Sequence, residues 1–505
     1  MADMQVVRSV DNTRGNTRGN TLDSTRGSTL GSRRLAALLT ATAGERPGYR
    51  ALAQGVRTLL LDGRIALHSR LPAERELATA LGISRATVTA AYDLLRTDGF
   101  AHSRRGSGTW TALPAGRRPS NVAYADTDDV IDLAMAAPHA PQGVLADALA
   151  AVTGAVARHG ATAGYHPYGL PELRAAVADR FTRRGLPTLP EQILITSGAQ
   201  QAVSLTLSLL SRPGDRVLVE NPSYANVLDA VRRGGLRATP VPVTDDGWDA
   251  EVAESTLRQA APRLAYLVPD FHNPTGRLMP VEQRRRLLDT ARRTGTWLIV
   301  DETLTDIALD VPAPAPFASL AAGHGVGEQL VTVGSLSKTH WGGLRIGWVR
   351  ASSQLITELA THRVPTDIAG SVLDQLLAIE LVERTEAVLK ERLPLLRAQR
   401  SALAAALAEQ LPEWRWQLPP GGLCLWVDLG APVSSALASA ALDHGVRIEG
   451  GARFGADPGT HEHRLRIPYA LPAELCVAAV GRLAATLAAG LPAADGAGGR
   501  RHWVA

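Results

Sequence analysis

Apolar and polar positions along the chain fall into two regimes. In YRALAQGVRTLLLDGRI, from residue 49, apolar residues recur at helical spacing and stop at Asp62-Gly63, which predicts a helix with a glycine stop. A second short helix fits ERELATAL, Gly82 turns the chain, and Ser84 is placed to cap a third helix over RATVTAAYDLLRTDG. Two helices joined by a glycine-containing turn predict a helix-turn-helix, and FAHSRRGSGTW after it reads as a short basic hairpin.

Farther on, short apolar runs rich in β-branched residues alternate with helical stretches: QILIT, RVLVE, RLAYLVP, TWLIVD, QLVTVG and RIGWV. That alternation predicts a mainly parallel sheet covered by helices on both faces. From about Leu355 the pattern turns mostly helical, with PPGGLCLWVDL and HRLRIPYA as later strands, which predicts a smaller C-terminal α+β subdomain. The fold class is therefore multidomain, a mainly α helix-turn-helix module followed by an α/β region. The expected division is an arm over 1–33, a DNA-binding domain over 34–111, a linker over 112–130, the α/β region over 131–490 and a loose tail over 491–505. The arm is five tetrapeptides in tandem, NTRG NTRG NTLD STRG STLG, too poor in apolar side chains to offset chain entropy.

Length and composition bound the rest. A chain of 505 residues, 45% of them hydrophobic, can bury more than one core. Cys424 and Cys476 lie far apart without metal-type spacing, which argues against a disulfide framework and a cysteine-based zinc site and points to a reducing cytoplasm. No metal is expected, no apolar run reaches the length of a membrane span, and the N-terminus lacks the apolar core of a signal peptide. Residues 1–118 carry 18 Arg, no Lys and 9 acidic residues, a net +9, so the remaining 387 residues carry −5 of the overall +4. Such asymmetry suits a polyanion-binding module joined to a mildly acidic body. A recognition helix presents its first residues to the major groove, so Ser84, Arg85 and Thr87 are the candidates for base edges and nearby phosphates, with Arg105 and Gly106 in the hairpin.

The chain has only two lysines, and one, Lys338, stands in VGSLSKTHWGGLRIGW. An amine that must form a Schiff base cannot be replaced by arginine, whose guanidinium stays protonated. Ser335 and Ser337 can donate to a phosphate and Arg345 can pair with its charge. SGAQQA follows a strand and opens a helix, so its backbone N–H groups can hold phosphate. Tyr224 in NPSY offers a ring to stack on a flat heterocycle, Asn273 in FHNPTG a donor for a phenolic oxygen, and Asp301 in IVDE a carboxylate for a protonated ring nitrogen. Singly, each has an ordinary structural reading: Asn273 with Gly276 a turn, Tyr224 core, Asp301 a cap.

Two resemblances join these observations. RLPAERELATALGISRATVTAAYDLLRTDGFAHSRRGSGTW resembles the winged helix-turn-helix of GntR-type bacterial regulators, which implies binding to double-stranded DNA and adds Arg75 as a DNA contact. The ordered set SGAQQA, NPSY, FHNPTG, IVDE, GSLSK and GGLRIGW resembles fold-type I pyridoxal 5′-phosphate (PLP) enzymes of the aspartate aminotransferase class. That resemblance implies an aldimine at Lys338, Asp301 on the pyridine nitrogen, Asn273 on the ring hydroxyl, Tyr224 stacked on the ring, and Gly198, Ala199, Ser335, Ser337 and Arg345 about the phosphate. Arg466 matches the arginine that receives a substrate α-carboxylate. Tyr165 matches the tyrosine that reaches the phosphate across a dimer interface, with Tyr168 as a competing choice. The family commonly places a tyrosine two or three residues after the aspartate; here those positions are Thr303 and Leu304, so one tuning hydrogen bond is lost. The two modules in this order are similar to the MocR subfamily, in which the aminotransferase-like domain senses an effector. The resemblance implies a cytoplasmic homodimer, often with each DNA-binding domain against the partner's large domain, and an effector that is PLP itself or a small amine or amino acid. It leaves open an aminotransferase with an accessory DNA-binding domain.

Overall fold

The computed structural model of the protein describes residues 30–43, 47–104, 108–113, 120–121, 130–321, 329–491 and 500–501. The N-terminal module consists of helices α1 (Ser32–Ala43), α2 (Tyr49–Leu61), α3 (Glu74–Leu81) and α4 (Arg85–Thr97), followed by an antiparallel hairpin of β1 (Ala101–Arg104) and β2 (Gly108–Thr111). The boundaries of α2 and α3 follow the apolar periodicity. Asp62 caps α2, Gly82 closes α3 in the left-handed region that a side chain would strain, and the Ser84 hydroxyl accepts from the Thr87 amide to start α4. Helix α1 begins at Ser32, inside the span expected to be an unstructured arm; the tandem repeats themselves lie outside the described residues. Leu35, Leu39, Val56, Leu59, Leu60, Leu77, Val88, Ala91 and Leu95 close one core among the helices.

The large domain is built on an eight-stranded sheet. In spatial order its strands are Ile193–Thr196, Gly347–Arg350, Leu330–Ser335, Trp297–Asp301, Leu264–Leu267, Arg216–Asn221, Arg237–Thr244 and Gly247–Trp248. Only Gly347–Arg350 and the short Gly247–Trp248 run against the rest. Successive residues feed opposite faces: Leu298 and Val300 join the core on one side, Ile299 the core on the other. Burial on both faces is why these strands read as unbroken apolar runs rather than as alternation. Arg237–Thr244 was not anticipated, because Pro240 and Pro242 interrupt it. Both prolines pair with Arg216–Asn221 on one side only, and at an edge a missing N–H breaks no ladder.

The smaller C-terminal subdomain holds an antiparallel sheet of Cys424–Asp428, Arg464–Pro468 and Glu449–Gly450, packed against the helices Thr385–Gln410 and Ala473–Ala488. Ile131–Asp132, the first strand after the linker region, pairs in parallel with Val446–Arg447 of this subdomain. Val446–Arg447 leads on to Glu449–Gly450, which pairs with the strand that carries Arg466. The N-terminal module packs against the C-terminal subdomain of its own chain: Leu61 O accepts from the His461 amide at 2.8 Å, and Asp62 Oδ1 faces His463 Nε2 at 3.0 Å.

Candidate functional site

The strand Leu330–Ser335 ends at the turn that presents Lys338. Ser335 Oγ bonds Ile346 O at 2.9 Å and the Ser337 amide at 3.1 Å, tying the two sides of the turn together. The buried His340 ring bonds Leu381 O at 2.9 Å, and burial holds its pKa down at about 4, so it stays neutral. On this anchored turn Lys338 is half-buried, and its Nζ donates to Ala136 O at 2.8 Å. Burial, then the nearby Arg466 charge, push its pKa down to about 8, with Asp301 opposing. An ammonium so destabilised gives up its proton more readily near neutral pH, and the free amine it leaves is a nucleophile.

Asp301 closes the Trp297–Asp301 strand, 5% exposed. Its Oδ2 accepts from Tyr266 Oη at 2.6 Å and its Oδ1 from the Thr303 amide at 2.9 Å. Burial raises the carboxyl pKa against these two donors, so a cationic ring nitrogen in reach would be strongly favoured. Tyr266 is a site residue that sequence reasoning missed. The signal was one polar-tipped side chain in the otherwise apolar RLAYLVP; a buried phenol needs a partner, but the chain does not say which. Of the two positions where the family commonly has tyrosine, Leu304 lies in the core and Thr303 gives Asp301 its amide.

Gly198, Ala199, Ser335, Ser337 and Arg345 come together. Gly198 (φ 84°) caps the helix Ala199–Leu210, and a Cβ there would lie 2.7 Å from Arg345 Nη2. Arg345 Nη2 in turn donates to Ser197 O at 2.9 Å, and Ser335 and Ser337 share a hydrogen bond of 2.7 Å. A helix N-terminus, two hydroxyls and an exposed guanidinium around a residue with no side chain form a cradle that fits a phosphate. Tyr224 opens the helix Ala225–Arg233; its hydroxyl accepts from Asn226 at 2.8 Å, and burial pushes its pKa up to about 12.

Arg466 is 0% exposed. Its Nη2 donates to Ala134 O and its Nη1 lies 3.5 Å from Asn273 Oδ1; both partners are uncharged, and Nε is buried without a partner. The guanidinium stacks on Phe454, 4.8 Å from the ring centroid. A buried cation with neutral partners and an orphaned N–H fits a ligand anion. The carbonyls of Ala134 and Ala136, Phe454 and the buried Cys424 beside Lys338 and Arg466 complete the pocket, and none was read from the sequence. Tyr165 is 68% exposed in the single chain, whereas Tyr168 is engaged at home, with the Arg174 guanidinium 5.3 Å from its ring centroid. Asp301, Tyr224, Lys338 and Arg466 lie within electrostatic reach of one another, and Arg466 reaches Asn273. Cys424 and Cys476 are buried thiols.

On the N-terminal module, Arg75, Ser84 and Arg85 are exposed and Thr87 half-buried. Arg85 Nε and Nη2 both reach Glu74 Oε2 at 3.2 Å, which braces α4 against α3. The Ser84 hydroxyl is committed to the Thr87 amide and hydroxyl at 3.1 and 2.8 Å. Val88, Ala91, Tyr92 and Leu95 are buried, and Leu94 half-buried, as the inner-face reading expects. Arg105 and Gly106 lie outside the described residues.

Comparison with known proteins finds a match for each of the two regions of the chain. Residues 128–483 match the family Aminotransferase class I and II, and residues 48–110 match Bacterial regulatory proteins, gntR family. The chain belongs to the aminotransferase class I and II family, whose members are PLP-dependent, and it carries a GntR-type helix-turn-helix in front, the architecture of the MocR regulators. It is 29% identical to the uncharacterized HTH-type transcriptional regulator YisV of Bacillus subtilis over 75% of this chain and 84% of that one. With the "Probable rhizopine catabolism regulatory protein MocR" of Rhizobium meliloti it shares 30% identity over 61% of this chain and 66% of that one. The crystal structure of LysN, an alpha-aminoadipate aminotransferase from Thermus thermophilus complexed with N-(5′-phosphopyridoxyl)-L-leucine, superposes with a TM-score of 0.66. It is 30% identical and covers 72% of this chain and 92% of that one. Among the described residues no helix is long and apolar enough to cross a membrane.

Proposed function

We propose that this chain is a PLP-linked, DNA-binding transcription regulator whose aminotransferase-like domain reads an effector at Lys338 and Arg466. The observation that carries the reading is the placing of Lys338 within electrostatic reach of Arg466, a fully buried arginine whose hydrogen-bond partners are neutral oxygens. PLP, when bound, supplies an aldehyde that joins an amine and a ring that withdraws electrons. The chain's own residues would hold it: the Gly198–Arg345 cradle on the phosphate, Asp301 on the ring nitrogen, Asn273 on the hydroxyl, Tyr224 on the ring face. Arg466 then selects an effector with a carboxylate, whose arrival must displace Ala134 O. The same protein presents Arg75 and Arg85 on the exposed side of a helix-turn-helix. We assign it to a homodimer in the cytoplasm, with two modules reading two half-sites of double-stranded DNA and Tyr165 free to serve the partner's site.

An effector alters DNA affinity only by binding unequally to two arrangements of the protein. Substituting Lys338→Ala tests this: DNA binding without ligand is retained and the response to PLP or to an amine is lost.

A second reading, a working aminotransferase, is favoured by the retention of Lys338, Asp301, Asn273, Arg345 and Arg466 and by the 32% identity to a 2-aminoadipate transaminase of Thermus thermophilus over 61% of this chain and 76% of that one. Conversion of the cofactor's absorbance to that of the pyridoxamine form with a panel of amino acids would establish it; absence of conversion leaves the sensor.

A further inference from the structure

The loop 455–463 joins two residues of the effector pocket. It starts after Phe454, whose ring lies against the Arg466 guanidinium, and ends at the strand Arg464–Pro468, which carries Arg466 itself. Its middle lies against the DNA-binding module. His461 donates its amide to Leu61 O at 2.8 Å, His463 meets Asp62 at 3.0 Å, and a Cβ on Gly459 would lie 3.0 Å from Leu113 Cδ1. A nine-residue excursion thus runs from the ring stacked on one cation to the strand that carries that cation, and touches the end of α2 on the way.

A second strand of contacts runs beside it. His461 Nε2 lies 3.1 Å from Asn221 Oδ1, and Asn221 leads through Pro222 and Ser223 to Tyr224, the ring-stacking residue. The Ser223 amide donates to Phe454 O at 2.8 Å. The Trp426 ring packs edge-on against both Phe454 and His461, with centroids 5.8 and 6.0 Å apart. Gly63, just past α2, sits so close to Asn221 that a Cβ would fall 1.9 Å from its Nδ2. Helix α2 shares its core with α4, and Arg57 forms a salt bridge to Asp98 at the end of α4. Close-packed groups cannot yield continuously, so a shift at one end of such a chain must be taken up at the other.

We propose that the loop 455–463 is the coupling element of this protein: a carboxylate seated on Arg466 shifts Phe454 and the start of the 464–468 strand, and the loop carries that shift through His461 and His463 to the end of α2. The inference rests on the reading of Arg466 as the effector-carboxylate site. His461 and His463 are positioning residues, since neither touches a ligand.

Coupling is reciprocal: if the pocket acts on the docking contact, loosening the contact must change pocket affinity by the same factor. The test uses the full-length, PLP-loaded protein with acetate and succinate as amine-free carboxylate probes, titrated through the cofactor's absorbance. Asp62→Ala lies on the DNA-binding module, outside the pocket. Hydrogen exchange at the His461 amide reports whether the contact has opened. The expected result is faster exchange at His461 and a carboxylate Kd altered by about fivefold or more, the lower end of ordinary allosteric couplings. His463→Gln, which keeps size and polarity, should act in the same direction and guards against a folding defect in the first variant. If either variant opens the contact and leaves the carboxylate Kd unchanged, the loop does not couple the two sites. If Arg466→Ala leaves the wild-type carboxylate Kd unchanged, the reading of Arg466 itself fails and takes the inference with it.

Discussion

The guanidinium of Arg466 rests on the ring of Phe454, 4.8 Å from its centroid, while its N–H groups reach only a backbone carbonyl and an amide oxygen. Its charge is balanced only at a distance, by the Glu449 and Asp132 carboxylates, while its hydrogen-bond partners are neutral, so a ligand carboxylate gains a charge-assisted bidentate site. Arg466→Lys, which keeps the charge and loses the fork, is expected to weaken carboxylate binding about tenfold or more. Titration of cofactor absorbance checks it; an unchanged affinity would remove Arg466 from the pocket's recognition chemistry.

Lys338 has a pKa lowered to about 8, so its neutral, nucleophilic form grows as pH rises through that value. Covalent loading of PLP is expected to accelerate about tenfold per unit between pH 6 and 7.5 and to level off above about 8.5. Stopped-flow absorbance at fixed PLP measures this. A profile still rising steeply to pH 10 would mean an ordinary, unperturbed lysine.

His461 is buried next to His463, Asp62 and Arg464, and burial, foremost, holds its pKa down to about 3. Released to solvent, its imidazole would return to the ordinary value near 6.5. The docked form therefore binds fewer protons than the undocked one. The contact is at full strength above about pH 6.5 and weakens as pH falls toward 3, by up to about tenfold per unit. Asp62, whose pKa His463 and Arg464 lower against its burial, changes in the same direction and does not offset the loss. Exchange at the His461 amide, corrected for its intrinsic pH dependence, should rise on going from pH 7 to 5, and the His461→Gln variant should show no such rise.

Arg85 faces solvent while braced by Glu74, and Arg75 is exposed one helix earlier. Arg85→Ala is expected to weaken operator binding by about 1–3 kcal/mol if it reads a base edge, with specificity relaxed at that position. Arg75→Ala, read as a phosphate contact, should weaken binding evenly across sequences and lower the salt slope by about 1. Fluorescence anisotropy over a salt series distinguishes the two.

What could be read from the chain divides along a physical line. Strands buried on both faces announce themselves as apolar runs, and caps such as Ser84 or stops such as Gly63 and Gly82 are local chemistry, so the helix-turn-helix and six strands of the large sheet were legible. The Arg237–Thr244 strand was not, because Pro240 and Pro242 break the pattern, and they are harmless only because no strand pairs with them on their other side. Tyr266 belongs to Asp301 because the register sets it opposite Ile299, two residues before Asp301 on the same face; that pairing is tertiary. The pocket carbonyls of Ala134 and Ala136 carry no side-chain signal at all. His461 and His463, in an unremarkable polar loop, acquire a role only through their contact with Leu61 and Asp62.

The most direct test of the account is a DNA-binding titration on the region upstream of this protein's own gene, at fixed salt. Wild type and Lys338→Ala are compared with and without PLP and a panel of amines and amino acids. The account predicts that ligand shifts wild-type affinity, and that Lys338→Ala binds like ligand-free wild type and does not respond. A Lys338→Ala protein that shifts as the wild type does would contradict it.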